Sequence, residues 1–463
     1  MPQPPQYPMP PLQPPPPMSA HLPDDAPGPG WGGRRRTTWG IALVLVLLLA
    51  CGGAYAVWGG GEGDGKRSAA GGPRAVAAGA AAWKKTARTE PSKTAKDAPG
   101  AWFTGNTVVK AEPDMMTAYD LKTGRKQWSL ILDGVLCAAS READADRVLI
   151  ALKTAGMCET MAAVDIRHGS LLWSQPIALY KADDPDADNF RPEKWPAQLE
   201  VAVGAGHGLI TWATGAKTVR LDDGKAVGET PEKECRWVGA AGGAQLLALR
   251  RCGERTTVRA QDPGAPDRPR WTWEGREGEE VLAVLSTRPV VLLTGTGQGR
   301  PAQLVALADD GKERSRFELP ADREGHVCAS GVSKCPAYLV DGDTVYVARK
   351  GSTTAYGLAN GREKWTYKAD TNRMAFPVAV QDGQLAVYVA GTPERVGELT
   401  RVSTGTGRAG RTTRLSPDLR TTEWRLERAR SAVAHLKAGV LLLVNEGALE
   451  SQDSDVVVAV VAD

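Results

Sequence analysis

Phenylalanine and histidine are scarce in this chain. Its 463 residues hold 4 Phe and 5 His, against 14 Trp. The histidines, at positions 21, 168, 207, 326 and 435, are scattered, which leaves little for a His-built metal site. An excess of one charge is also missing: 57 Lys+Arg face 54 Asp+Glu, a net charge of +3. A chain that coats nucleic acid needs a strong basic excess, so no nucleic-acid partner is expected. There is no G-x-S-x-G, no H-E-x-x-H and no Cys/His constellation. No catalytic, cofactor-binding or metal-binding residue is assigned, and the expectation is a protein that is not an enzyme.

Proline, by contrast, is concentrated. Residues 1–33 contain 13 of the 32 prolines, in runs such as PPLQPPPP. Such a stretch cannot form helix or sheet ladders, and residues 1–38 read as a disordered Pro-rich tail. Its Pro11-to-Pro14 spacing is the kind that docks on an aromatic groove, although a solvated low-complexity tail explains it equally.

Arg34, Arg35 and Arg36 follow, and then an uncharged run over 39–58. That length matches a bilayer core, and Trp39, Tyr55 and Trp58 suit the two interfacial belts. The basic flank places the N-terminus in the cytoplasm and the rest of the chain outside. Two rival readings share that outcome. One is a lipoprotein signal, because Leu48-Leu49-Ala50-Cys51 resembles a lipobox; the other is a cleaved secretory signal. Residues 59–79, rich in Gly and Ala, read as a flexible linker.

From residue 80 onward the chain repeats. AYDLKTGRKQW (118–128), AVDIRHGSLLW (163–173) and AYGLANGREKW (355–365) share a short apolar strand, a turn ending in Gly, and Trp four residues later. Weaker copies lie at 219–229, 258–271, 304–317 and 399–408. The turn glycines at 124, 169, 224, 264, 311, 361 and 407 recur about every 47 residues, the period of four-stranded propeller blades. Short β-rich runs such as RVLIAL, TVYVAR and VLLLVN agree. Helical periodicity is confined to 421–436.

The last strand, DVVVAVVAD, stops before a Trp-bearing outer strand, and AAAWKKTART (80–89) can supply it. Sharing one blade between the two ends closes a ring and removes open edges. The expected fold is therefore all-β: an eight-bladed β-propeller over 80–463, with seven blades as the alternative. Trp83, Trp128, Trp173, Trp273 and Trp365 are assigned a structural role, each covering the junction to the next blade.

The repeated strand–D-x-x-T-G-x-x-x-W pattern, best seen from Asp120 to Trp128, resembles the pyrroloquinoline-quinone (PQQ) repeat family of β-propellers. The resemblance covers roughly 80–463. With the tail and anchor, the whole chain is similar to membrane-anchored members from high-GC bacteria. Relatives of this type divide into quinoprotein dehydrogenases and cofactor-free scaffolds such as outer-membrane assembly lipoproteins. The dehydrogenase branch implies adjacent cysteines and acidic and amide Ca²⁺ ligands. No Cys-Cys pair occurs here, so no cofactor is assigned. What the resemblance implies is an envelope scaffold with an unidentified protein or ligand partner; the alternative is a PQQ-dependent or small-molecule-binding enzyme or sensor.

Apart from Cys51, six cysteines remain, an even number that suits disulfides outside the cytoplasm. Their places in the repeats favour Cys137–Cys158, Cys235–Cys252 and Cys328–Cys335, each within a blade. Two further motifs are weak. Asp184, Asp186 and Asp188 alternate as in a Ca²⁺ loop, but Asn189 takes the sixth place and Trp195 the twelfth, so an acidic solvated loop is expected. Gly295-Thr296-Gly297-Gln298-Gly299 follows a strand but lacks Lys-Ser/Thr and a helix, so it reads as a β-turn.

Overall fold

A computed structural model describes residues 76–87, 100–154, 158–177, 199–231, 235–265, 268–296, 302–320, 328, 335–428, 432–446 and 455–462. They form eight four-stranded antiparallel sheets. Seven sheets use four consecutive strands each, over 101–131, 135–176, 200–231, 236–274, 279–318, 338–368 and 376–414. These are the first to seventh blades. The eighth combines Ala432–Lys437, Val440–Asn445 and Asp455–Val461 with Ala81–Thr86 from the other end of the chain. Trp83 pairs opposite Ala459 in this shared sheet.

Hydrogen bonds link each blade to the next and close the ring. In order they are Trp83 Nε1 to Leu121 O, Trp102 Nε1 to Ser140 O, Trp173 Nε1 to Leu221 O, and Gly243 N to Val203 O. Trp273 Nε1 to Glu313 Oε1, Ser315 Oγ to Leu358 O, Trp365 Nε1 to Thr404 O, and Thr413 Oγ1 to Ala462 O complete the circuit.

The middle strands are covered on both faces by neighbouring blades. They therefore read as continuous apolar runs rather than alternating ones. Val440–Asn445 is buried at every position. The core is a set of layers between blades: Tyr346 and Trp365 of the sixth pack with Leu385, Val387 and Val402 of the seventh.

The repeat turn has a local cause. Asp120 Oδ1 accepts from the backbone N–H of Lys122 and Thr123 at 3.1 and 2.9 Å and from Thr123 Oγ1 at 2.8 Å. This Asx turn delivers Gly124 at φ 64°, a left-handed conformation that favours glycine. The Thr123 backbone N–H, with the other donors, holds the Asp120 carboxyl below its usual range.

Three expectations change. The stretch 421–436 is not one helix; a helix, α1 (Arg420–Arg428), is followed by the inner strand Ala432–Lys437. The closed ring needs an inner strand there, and packing overrides the local period. Gly264 is not a left-handed turn glycine, because the fourth blade joins its last two strands by the long segment 261–270. Gly79, placed in the linker, already belongs to the eighth blade: its N–H donates to Val461 O at 2.7 Å. The segment 39–58, Cys51, the Pro-rich tail and the acidic loop at 183–189 lie outside the described residues. Among the described residues no helix is long and apolar enough to cross a membrane.

Candidate functional site

The two ends of the blades differ. One end carries the turns between the first and second strands of each blade, and several are two residues long, as at 205–206, 342–343, 382–383 and 438–439. Left-handed pairs such as Ala205-Gly206 and Asp382-Gly383 suit these tight hairpins. The opposite end carries the connections between blades and between second and third strands. Among them are 177–199, 319–337 and 415–431.

All three disulfides tie down that second end. Cys235–Cys252 closes the open end of the first hairpin of the fourth blade, beside the Arg236–Arg251 pair. Cys137–Cys158 joins the first and third strands of the second blade, and Cys328–Cys335 lies in the connection from the fifth to the sixth. The pairing matches the one expected from the repeats.

A polar clip sits at the same end. Glu423 of α1 is 1% exposed, and its carboxylate accepts from Tyr388 Oη at 2.7 Å, Gly391 N at 3.0 Å and Gly397 N at 3.2 Å. Burial raises its carboxyl above the usual range despite these donors. Thr422 Oγ1 donates to Asp455 Oδ2 at 2.8 Å. The helix thus joins a loop of the seventh blade to the start of the eighth blade's third strand.

At the opposite end, the loop 140–146 of the second blade reaches over the middle of the ring. Its Asp144 accepts from Gly206 N of the third blade at 2.5 Å. A Cβ on Gly243 of the fourth blade would lie 3.6 Å from Glu142 Cγ. Arg141 acts electrostatically on His435 of the eighth. Contacts from one loop to blades on both sides place it across the inner strands. His435 stacks at 5.1 Å on Phe103, and its Nε2 is buried with no partner among the described residues. Burial, helped by Arg141 and opposed by Glu446, pushes its imidazole down to about 4. Burial also raises the Glu142 carboxyl, against the pull of Arg141. Composition alone offered no signal for this grouping, because its members come from separate blades.

The aromatic residues expected at the junctions occupy one recurrent geometry. A Cβ built on the next blade's turn glycine would lie 2.4 Å from the Trp83 ring (Gly124), 2.3 Å from Trp128 (Gly169), 2.7 Å from Trp173 (Gly224) and 2.8 Å from Trp365 (Gly407). Trp273 does not take this place. Trp271 covers Gly311 at 2.6 Å, and Trp273 donates instead to Glu313 at 3.0 Å. The reason is register: every covering Trp stands opposite an alanine, and it is Trp271 that faces Ala260, while Trp273 faces Val258. The repeat copy at 258–271 itself ends on Trp271. In the fifth blade the task is divided: Phe317 covers Gly361, and Ser315 donates to Leu358 O.

The Trp273 partner belongs to a buried ionic group. Arg316, 10% exposed, pairs with Glu279 and Glu313 and donates to Gln303 Oε1 at 3.0 Å. Burial opposes ionisation of Glu279, but bonds from Arg316 and from Arg276 N outweigh it and keep its carboxyl below the usual range.

The donor set does not fit a cation-assisted quinone. All six described cysteines pair within blades, and among the described residues no three His, Cys, Asp or Glu side chains are grouped to hold a metal ion.

These features define an eight-bladed β-propeller closed by a blade that both chain ends share. A family model described as "Outer membrane protein assembly factor BamB" matches residues 60–229 and 254–463, and the chain belongs to that PQQ-type repeat family. No curated protein sequence matches the chain. Among solved structures, the computationally designed Ika8 protein is similar at a TM-score of 0.50 and 12% identity, over 81% of this chain and 100% of Ika8. BamB from Moraxella catarrhalis has a TM-score of 0.45 and 14% identity, over 80% of this chain and 99% of its own. A europium-containing methanol dehydrogenase has a TM-score of 0.47 and 10% identity, over 80% and 85%. At these identities the likeness concerns the fold.

Proposed function

We propose that this protein is an extracytoplasmic interaction scaffold of the cell envelope, tethered to the membrane through residues 39–58, and that it works without catalysis. The observation that carries this reading is the difference between the two ends. One end is closed by tight hairpins. The other is fixed by three disulfides and the Glu423 clip, around long connections. Loops held by a rigid frame are suited to binding a partner, because little ordering entropy remains to be lost. Disulfides fit a location outside the cytoplasm, and membership of a family described as an outer membrane assembly factor supports an envelope setting. A lipid anchor at Cys51 is the alternative tether.

A photocrosslinking residue at Glu394, on the loop end, and another at Asp341, on the hairpin end, test this in intact membranes. The reading expects one defined protein adduct from position 394 and none from 341. Equal labelling from both would remove it. The quinoprotein-like alternative is tested separately by titrating the protein with PQQ and Ca²⁺ while following tryptophan fluorescence. Saturable binding would replace the scaffold reading.

A further inference from the structure

The junction between the seventh and eighth blades breaks the aromatic-on-glycine rule. Four residues after Gly407, where the other good repeats place Trp, stands Arg411. Thr413 of the same strand donates to Ala462 O of the eighth blade at 3.0 Å, so Arg411, two residues away, faces that blade too. Arg401 pairs opposite Ala386, which packs with Leu441, Leu443 and Val460 of the eighth blade. Both guanidiniums therefore look into the seam where the chain ends meet. A cleft of about 320 Å³ opens there, lined by Gln381, Asp382, Gln384, Arg401 and Arg411.

We propose that this seam cleft binds a sugar acid, a monoanion carrying a carboxylate beside several hydroxyl groups. Its walls carry two positive charges and one negative, so the net +1 matches one carboxylate rather than a dianion. Guanidinium forks suit a carboxylate because two parallel N–H bonds reach its two oxygens. The amides of Gln381 and Gln384 and the carboxylate of Asp382 can both give and take hydrogen bonds with hydroxyl groups. No aromatic or aliphatic side chain lines the cleft, so an apolar ligand gains nothing there. The volume is at the small end of ligand sites and suits one or two sugar rings. The seam is also the one place where such a cleft costs the repeat nothing. An arginine replaces the covering ring, and the backbone seals the junction instead: a Cβ on Gly79 would meet Arg414 O at 1.9 Å.

Calorimetry on the full chain in detergent, with glucuronate, glucose and inorganic phosphate, tests the proposal. Glucuronate should bind saturably, and glucose at least about tenfold more weakly, as loss of a charge-assisted contact requires. Arg411→Gln should weaken glucuronate by a similar factor, while Arg408→Gln, at the exposed turn, should not. Unchanged melting of both variants shows that they fold. Absence of glucuronate binding to folded protein overturns the proposal. Equal binding of glucose, or tighter binding of phosphate, overturns it as well.

Discussion

Gly407 shows what a single residue contributes to a junction. Its φ of 70° already disfavours a side chain, and the Trp365 ring stands where a Cβ would go. Gly253 has φ 59° but nothing within 4 Å of that position. Gly253→Ala should therefore cost about 1 kcal/mol from backbone strain alone. Gly407→Ala should cost about 2–3 kcal/mol, because the ring must also move. Urea denaturation of both variants separates the two causes. His435 makes a second prediction at this scale. Its folded value of about 4 lies below the ordinary 6.5. Between those values the unfolded chain takes up a proton that the folded chain refuses. Stability is therefore lost as pH falls from about 6.5 to 4, by up to about 3 kcal/mol. His435→Gln should flatten that part of the stability–pH curve. An unchanged slope would mean that the imidazole is not shut away from water.

Outer strands and disulfides act at the scale of elements. Trp271 and Trp273 lie on one strand, two residues apart, yet do different work. Trp271→Ala removes a buried ring from a blade junction and should cost about 3–5 kcal/mol. Trp273→Phe keeps the packing and loses the bond to Glu313, about 1 kcal/mol. If thermal unfolding ranks them the other way, the register assignment fails. The strand–turn–Gly–Trp order of the good repeats was legible from spacing alone, because each element is local. The Trp271/Trp273 choice was not, since it depends on which residue faces Ala260 across the ladder. Helix α1 was equally hidden. Its buried Glu423 is fixed by Tyr388, Gly391 and Gly397, all from the preceding blade. For the cross-links, replacing Cys235 and Cys252 by Ala should cost about 3 kcal/mol, and replacing Cys328 and Cys335 about 2, since the closed loops span 17 and 7 residues. Denaturant midpoints of the two double variants give the comparison.

Closure is decided at the scale of the whole molecule. A chain lacking residues 1–87 leaves the strand Asp455–Val461 with an open apolar edge. Such edges pair with other copies. The truncated chain should form dimers or larger species on size exclusion, and a peptide of residues 78–88 added in trans should restore the monomer. A monomeric truncation would show that the shared blade is not what closes the ring.

The sequence by itself determined the repeat period, the all-β class, the shared last blade and the disulfide pairing, because each follows from spacings along the chain. Tertiary structure alone decided which tryptophan covers a glycine, which end of the blades is reinforced, how His435, Arg141 and Glu142 come together, and where the seam cleft lies. Those features depend on contacts between blades far apart in sequence, and no local pattern records which residues the closing of a ring brings face to face.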